Sequence, residues 1–243
     1  MAKLNTNSNA YTIIYASVMV IVVAFLLAFV ASSLKETQDA NVERDKKSQI
    51  LASLNIREVS DVDAKYEEVI TSKNDDGTLI ANVDGEEKLV VPVKGAGLWG
   101  PLWGYVAINK DGQTVYGVFF NHESETAGLG ARIKEQWFQD LFMGKKIFDG
   151  ENVVLGVYKK GKAPAGLSAD SYVDAVTGAT LTSNGVNDMI QKCLTDYKDA
   201  IATFRGGCAG DKPCCKGNGK CHKADAMCDA QVDSCCQDTI INE

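Results

Sequence analysis

Hydrophobic residues first crowd together along this chain and then alternate. No charged residue interrupts the stretch between Lys3 and Lys35, and residues 11–34 are dominated by valine, isoleucine, leucine, phenylalanine and alanine. At about 1.5 Å per residue, a helix of that length crosses a hydrocarbon core of roughly 30 Å, with Tyr11 and Tyr15 suited to one interface. A cleaved signal peptide also starts apolar, but its core is typically about 7–15 residues long and ends at a small-residue site. The run here is longer and no good A-x-A site follows it, so the pattern predicts an uncleaved, single-pass anchor.

Beyond the anchor the period changes. Residues 42–56 read as a helix with Ile50, Leu51 and Leu54 on one buried face, a stalk continuing from the membrane. Residues 89–93, 102–109 and 114–121 read as strands, the last two joined by the hairpin signal Lys110-Asp111-Gly112-Gln113. Residues 131–142 read as a helix ended by Gly144, residues 152–158 as another strand, and residues 183–204 as a final helix. On that last helix Val186, Ile190, Cys193, Leu194, Tyr197, Ile201 and Phe204 recur at i, i+3, i+4 spacing, which makes Cys193 a core residue. Antiparallel hairpins with helices at their sides indicate an α+β domain: a mixed, mainly antiparallel sheet behind one transmembrane helix.

Composition narrows the function classes. The 243 residues, less the anchor, leave about 200, enough for one well-buried core. A net charge of −7 and the lack of a basic patch with interleaved aromatics argue against nucleic acid as a partner. The only histidines are His122 and His222, and no Ser-His-Asp arrangement or other catalytic acid–base pair is apparent. From Gly206 onward the composition turns to glycine, lysine and aspartate. Seven of the eight cysteines fall there: Cys208, Cys214, Cys215, Cys221, Cys228, Cys235 and Cys236. None forms a C-x-x-C pair, so no metal site is assigned. Disulfides are the default outside the cytoplasm, metal binding together with His222 is the alternative, and a flexible appendage is the plain expectation.

Three segments carry candidate chemistry. Asp174-Ala175-Val176-Thr177-Gly178-Ala179-Thr180, continuing into Leu181-Thr182-Ser183, is a hydroxyl-rich turn between a β-branched run and an amphipathic helix. Glycine and alanine leave backbone N–H groups uncovered and a helix N-terminus is partially positive, which favours a phosphate. An ordinary N-cap, with Thr182 or Ser183 accepting a backbone N–H bond, uses the same residues. Gly95-Ala96-Gly97-Leu98-Trp99-Gly100 matches G-x-G-x-x-G, but a dinucleotide fingerprint must open a helix, whereas Pro101 and residues 102–108 turn straight into a strand. A tight turn presenting Trp99 and Trp103 to a ligand or partner fits better, with core packing the alternative for either. Asn121-His122-Glu123-Ser124-Glu125-Thr126-Ala127-Gly128-Leu129-Gly130 is the third. It can bring N–H groups and a carboxylate to the edge of a planar ring that offers alternating donors and acceptors, or serve as a solvated loop leading into a helix.

The turn resembles the flavin-transferase acceptor sequence Asp-x-x-Ser/Thr-Gly-Ala-Thr, whose last threonine is esterified to the phosphate of FMN. Carried over, Thr180 is the acceptor, Thr177 the earlier hydroxyl and Asp174 the leading acid. The opening Asn7-Ser8-Asn9-Ala10-Tyr11-Thr12-Ile13-Ile14-Tyr15, the stretch from Gly97 through Pro101 to Gly104, the loop from Glu125 to Gly130 and this turn all occur in order. Together they resemble the family of the C subunit of the sodium-translocating NADH:quinone reductase over residues 5–204. The acceptor motif alone is shared with the G subunit of the Rnf complex and other FMN-binding domains. Family members commonly carry proline where this chain has Ala127, a departure expected to alter loop stiffness more than chemistry.

The resemblance implies covalent FMN on Thr180, cradled by Asp174, Thr177, Gly178, Ala179, Thr182, Glu125, Thr126, Gly128, Leu129, Trp99 and Trp103. It implies an electron relay within a six-subunit translocase that oxidises NADH, reduces quinone and pumps Na+, with a flavin transferase needed for maturation. It also implies residues 1–10 in the cytoplasm, 11–34 in the lipid of the inner membrane and 35–205 as a periplasmic FMN domain; it stops near Gly206 and does not cover the cysteine-rich tail, residues 206–243. Raw charge points the other way. Lys35, Arg44, Lys46 and Lys47 follow the span and only Lys3 precedes it, although a long domain is translocated largely regardless of charge. The rival readings are the G subunit of an Rnf-type ferredoxin:NAD oxidoreductase and a membrane-anchored flavin sensor or metal-binding module.

Overall fold

One helix, α1 (Asn9–Ser53), runs without a glycine or proline from the apolar anchor into the domain. It belongs to a computed structural model that describes residues 8–206. Ser8 caps the helix, its Oγ accepting from the Tyr11 N–H. The helix is long and apolar enough to cross a membrane. Apart from half-buried Tyr11, its side chains are exposed as far as Lys46; burial begins at Lys47 and deepens at Gln49, and Ile50, Leu51 and Leu54 enter a core. The expected stalk is therefore the same helix as the anchor.

The domain is α+β. After α2 (Val62–Val69) come β1 (Ile70–Lys73), β2 (Leu79–Val83), β3 (Glu86–Ala96), β4 (Pro101–Ile108) and β5 (Val115–His122), an antiparallel meander in the order β1-β2-β3-β4-β5. The side-chain period of two divides the sheet into two buried faces. Leu89, Val91, Val93, Leu102, Val106, Val118 and Phe120 point to one face, and Leu79, Ala81, Val83, Val90 and Ala107 to the other. The second face is covered by the end of α1 and by Val69 of α2. The first is covered by the helix beginning at Thr180 and by Phe138 and Phe142 from the segment after β5.

Of the expected elements three take another form, and α2, β1 and β2 were not expected at all. Residues 131–142 are not one helix: a 3-10 turn, Gly130–Lys134, is followed by the short α3 (Gln136–Asp140). Glu135 separates them with extended backbone (φ −70°, ψ 140°), its carboxylate taking the Arg132 and Trp137 side-chain donors. Gly144, at φ +71°, does close the segment. After β6 (Phe148–Asp149), residues 152–158 divide into β7 (Asn152–Val153) and β8 (Gly156–Tyr158), because the N–H groups of Val154 and Leu155 both turn to the Ile147 carbonyl. β7 pairs with β6, while β8 pairs in parallel with β9 (Tyr172–Asp174).

The last helix is also two. α4 (Thr180–Asp196) begins three residues earlier than its apolar pattern suggests, and breaks at Tyr197 before α5 (Lys198–Gly206). Its apolar face is as expected: Val186, Ile190, Leu194, Ile201 and Phe204 are buried, with Cys193 and Tyr197 half-buried against them. Close approach to the sheet rests on small residues. A Cβ on Gly185 would strike the Ala96 carbonyl, and one on Gly95 would strike Met189. The cysteine-rich tail, with its disulfide, metal and flexibility readings, lies outside the described residues.

Candidate functional site

The acceptor-like segment folds as a turn that sorts its side chains by depth. Val176 and Ala179 are buried on either side, and the Ala179 N–H closes onto the Val176 carbonyl at 3.1 Å. Gly178 supplies the positive φ of +82° that the third position of such a turn requires. Thr177 is exposed, whereas Thr182 and Ser183 are buried. The Ser183 Oγ accepts from the Val176 N–H at 3.1 Å and so ties the turn to the helix behind it. Among the described residues no side chain caps α4 at Ala179, so the first-turn N–H groups, which have no intrahelical partner, keep their capacity for an anion placed at Thr180.

The turn is held by a buried carboxylate. Glu125 accepts from the Thr182 hydroxyl at 2.6 Å and from the Trp99 N–H at 3.0 Å. Two glycines make room for it: a Cβ on Gly97 would run into one carboxylate oxygen, and one on Gly130 into the other and into the Thr182 hydroxyl. Burial pushes the Glu125 carboxyl up, but the Thr182 hydroxyl, the Trp99 and Leu98 N–H groups and nearby His122 outweigh it and hold the group below its ordinary value. Three segments distant in sequence, the β3–β4 turn, the loop after β5 and the start of α4, are thereby joined through one charged group.

His122 belongs to the same layer. Its Nδ1 accepts from the Glu125 N–H at 3.3 Å, and its Nε2 is buried without a protein partner among the described residues. Desolvation first, and the Lys134 charge second, lower its pKa, which keeps the ring neutral near pH 7. The loop then closes on itself, with the Leu129 and Ala131 N–H groups both donating to the Thr126 carbonyl at 3.1 Å, and Gly128 takes φ +76°. Thr126, Gly128 and Leu129 are exposed, and Leu129 lies against Gly178.

Most of the residues singled out in the sequence therefore meet. Thr177, Gly178, Ala179, Thr180, Thr182, Glu125, Thr126, Gly128, Leu129 and the backbone of Trp99 form one edge. Asp174 ends β9 beside it and is exposed. Trp103 does not join them. It sits on the opposite face of the sheet, its Nε1 donating to Gln49 of α1 at 3.1 Å.

Two features were not singled out. Leu98 and Leu181, both exposed, add apolar surface beside Trp99 and Thr180. A groove of about 610 Å³, lined by Trp137, Leu141, Tyr172, Asp174 and Thr177, opens next to the turn. Leu181 carries a sequence signal, a large apolar residue between two threonines of a polar turn. The groove carries none, because its walls come from α3 and β9.

A crystal structure of the C subunit of Na(+)-translocating NADH-quinone reductase from Parabacteroides distasonis superposes with a TM-score of 0.64 at 36% identity, covering 69% of this chain and 96% of that one. The chain belongs to this C-subunit family. The FMN-binding domain model matches residues 97–195, which contain the whole edge described above. The corresponding C subunits of Chlamydia muridarum and Vibrio anguillarum are 40% and 38% identical over 131 residues, 49% and 53% of this chain. Those stretches are 41% and 51% of the relatives, so the chain spans about half the length of the curated relatives it matches.

The edge suits FMN, the cofactor of that domain family. A hydroxyl sits on an uncapped helix start, Gly178 and Ala179 leave the backbone open, and Leu129 and Leu181 offer apolar contact. These are the parts that a phosphate joined to an aromatic ring system needs.

Proposed function

We propose that this chain is the FMN-carrying electron-transfer subunit of a membrane complex that oxidises NADH, reduces quinone and moves sodium ions, with FMN joined to Thr180 through a phosphoester. The single observation carrying the reading is the Thr180 hydroxyl on an uncapped helix start within an FMN-binding domain. FMN, when bound, supplies the redox chemistry. The protein's residues hold and position: the first turn of α4 faces the phosphate with its N–H groups, Gly178 sets the turn, and Glu125 fixes the turn to the loops beside it. A single span cannot line an ion path, so sodium coupling rests with other subunits, and a carrier need not bind NADH itself.

Residues 11–34 serve as the anchor in this reading, residues 35–205 as the flavin domain on the extracytoplasmic side of the inner membrane, and a flavin transferase matures the chain. A covalent link has a physical rationale, since a carrier facing a large volume would lose a reversibly held cofactor by dilution. The test is flavin fluorescence of denatured protein on a gel after co-production with the transferase. Thr180→Val is expected to lose the fluorescent band and Thr177→Val and Thr182→Val to keep it; the reverse pattern refutes the assignment of the acceptor. A phosphatase fused to the C-terminus is expected to be active outside the cytoplasm, and activity confined to the cytoplasm refutes the orientation.

A further inference from the structure

The way α1 meets the sheet decides which end of the domain faces the membrane. At its C-terminal end, Asn55 Nδ2 donates to the Tyr116 carbonyl, and Leu54 and Asn55 share a groove with Asp84 and Gly85 of the β2–β3 turn. Four residues before the end of α1, Gln49 takes the Trp103 indole, and residues 39–47 border a groove with Gly77 of the β1–β2 turn and Lys94 near the end of β3. Following α1 back toward its apolar segment therefore leads to the end of the sheet that carries the β1–β2 and β3–β4 turns. That end also holds Leu98, Trp99, Leu129 and Leu181 around Thr180. Trp99 is 66% exposed and Leu181 60%.

The distances are matched. From Gln49 back to Leu34 the helix rises about 22 Å. From Trp103, which touches Gln49, strand β4 and its turn reach up to roughly 13 Å toward that same end of the sheet, to Trp99. The remaining gap of roughly 9 Å is close to the headgroup layer, about 5–7 Å thick, plus the reach of an indole. Tryptophan and leucine are the side chains that such a layer accepts, because one part of it is wet and the other apolar.

We propose that the tip formed by Leu98, Trp99, Leu129 and Leu181 rests in the headgroup layer of the membrane, so that the Thr180 turn works at the bilayer surface. The contact rests on residues 11–34 crossing the bilayer, and not on the flavin assignment. The glycine- and proline-free helix fixes the height of the tip, and a flexible tether would not.

The test uses the full chain carrying Thr180→Val, so that no flavin absorbs tryptophan emission, in nanodiscs containing a headgroup-nitroxide lipid. The Trp99 contribution is the difference between this chain and the same chain with Trp99→Phe, whose melting is compared to show that both fold. At least twofold quenching of that contribution is expected. Seven residues of helix inserted after Gln38 lift the tip by about 10 Å with little rotation, and should return the emission to its unquenched level. An unquenched Trp99, or quenching indifferent to the insertion, overturns the proposal. Shielding of Trp99 that appears only when other membrane proteins of the complex are present overturns it too, in favour of a protein partner at the tip. Release of the chain by alkaline carbonate overturns the anchor along with the tip, whereas retention without quenching overturns the tip alone.

Discussion

The hydroxyl of Thr182 donates to the carboxylate of Glu125 at 2.6 Å across 57 positions of sequence. The bond joins the helix that begins at Thr180 to a loop that leaves the sheet, and the other carboxylate oxygen holds the β3–β4 turn through the Trp99 N–H. Glu125→Gln keeps one acceptor oxygen where two are used, so a buried donor loses its partner. A loss of about 1–3 kcal/mol is expected, read as a lower denaturant midpoint at unchanged slope. An unchanged midpoint would show that the carboxylate is replaceable by any polar group.

The same carboxylate gives stability an acid limb. Its folded pKa lies below its unfolded value, near the ordinary 4.5. Its contribution is therefore complete above the unfolded value and is lost as pH falls through the folded one. Melting temperature measured from pH 7 downward should fall below about pH 4.5 more steeply in the parent than in Glu125→Gln. Parallel curves would assign the acid sensitivity to other carboxylates.

Gly130 tests the cradle from its other side. An alanine there places a Cβ against Glu125 and the Thr182 hydroxyl, and should cost about 1–3 kcal/mol by overpacking. With Glu125→Ala already present the carboxylate is gone and the Thr182 hydroxyl, released from it, can turn away, so the two substitutions should cost less together than the sum of each. Strict additivity in a denaturation cycle would mean that Gly130 is needed for another reason.

What the sequence disclosed follows from the range of the interactions involved. Strands β3, β4 and β5 were legible because two buried faces impose alternation on adjacent residues, as in Leu89, Val91 and Val93 against Val90. The helix break at Glu135 was not, because an amphipathic pattern survives a change of backbone that keeps Ile133 and Phe138 pointing inward. The start of α4 was obscured by the hydroxyls that precede its first buried apolar residue, Val186. Thr180 was singled out through local motif chemistry. The inward turn of Glu125 depends on Gly97, Gly130 and Thr182 converging from three segments, and a linear pattern cannot report that.

Neighbouring threonines should behave oppositely in stability and in flavin retention. The Thr180 hydroxyl has no hydrogen-bond partner among the described residues, so Thr180→Val should change stability by no more than about 0.5 kcal/mol. Thr182 is 2% exposed and bonded to Glu125, so Thr182→Val should cost about 1–3 kcal/mol by leaving a buried carboxylate oxygen without its donor. Both are measured on flavin-free protein by chemical denaturation. A destabilised Thr180→Val beside a neutral Thr182→Val would contradict the depth sorting of the turn.

Trp103 acts on the stalk and not on the acceptor edge. Its indole N–H donates to Gln49, whose amide in turn donates to Asp45 at 2.6 Å, so the pair fastens the last turns of α1 to the sheet face opposite Thr180. Trp103→Phe preserves most of the apolar contact and removes only the donor, leaving the amide oxygen of Gln49 unpaired. The expected cost is about 1 kcal/mol, local to the helix end. Amide exchange should quicken in residues 45–53 while α4 stays as protected as before, and the amount of flavin the domain carries should be unchanged. Loss of flavin from Trp103→Phe without faster exchange in α1 would place Trp103 in the cofactor's surroundings and refute the division of labour between the two faces of the sheet.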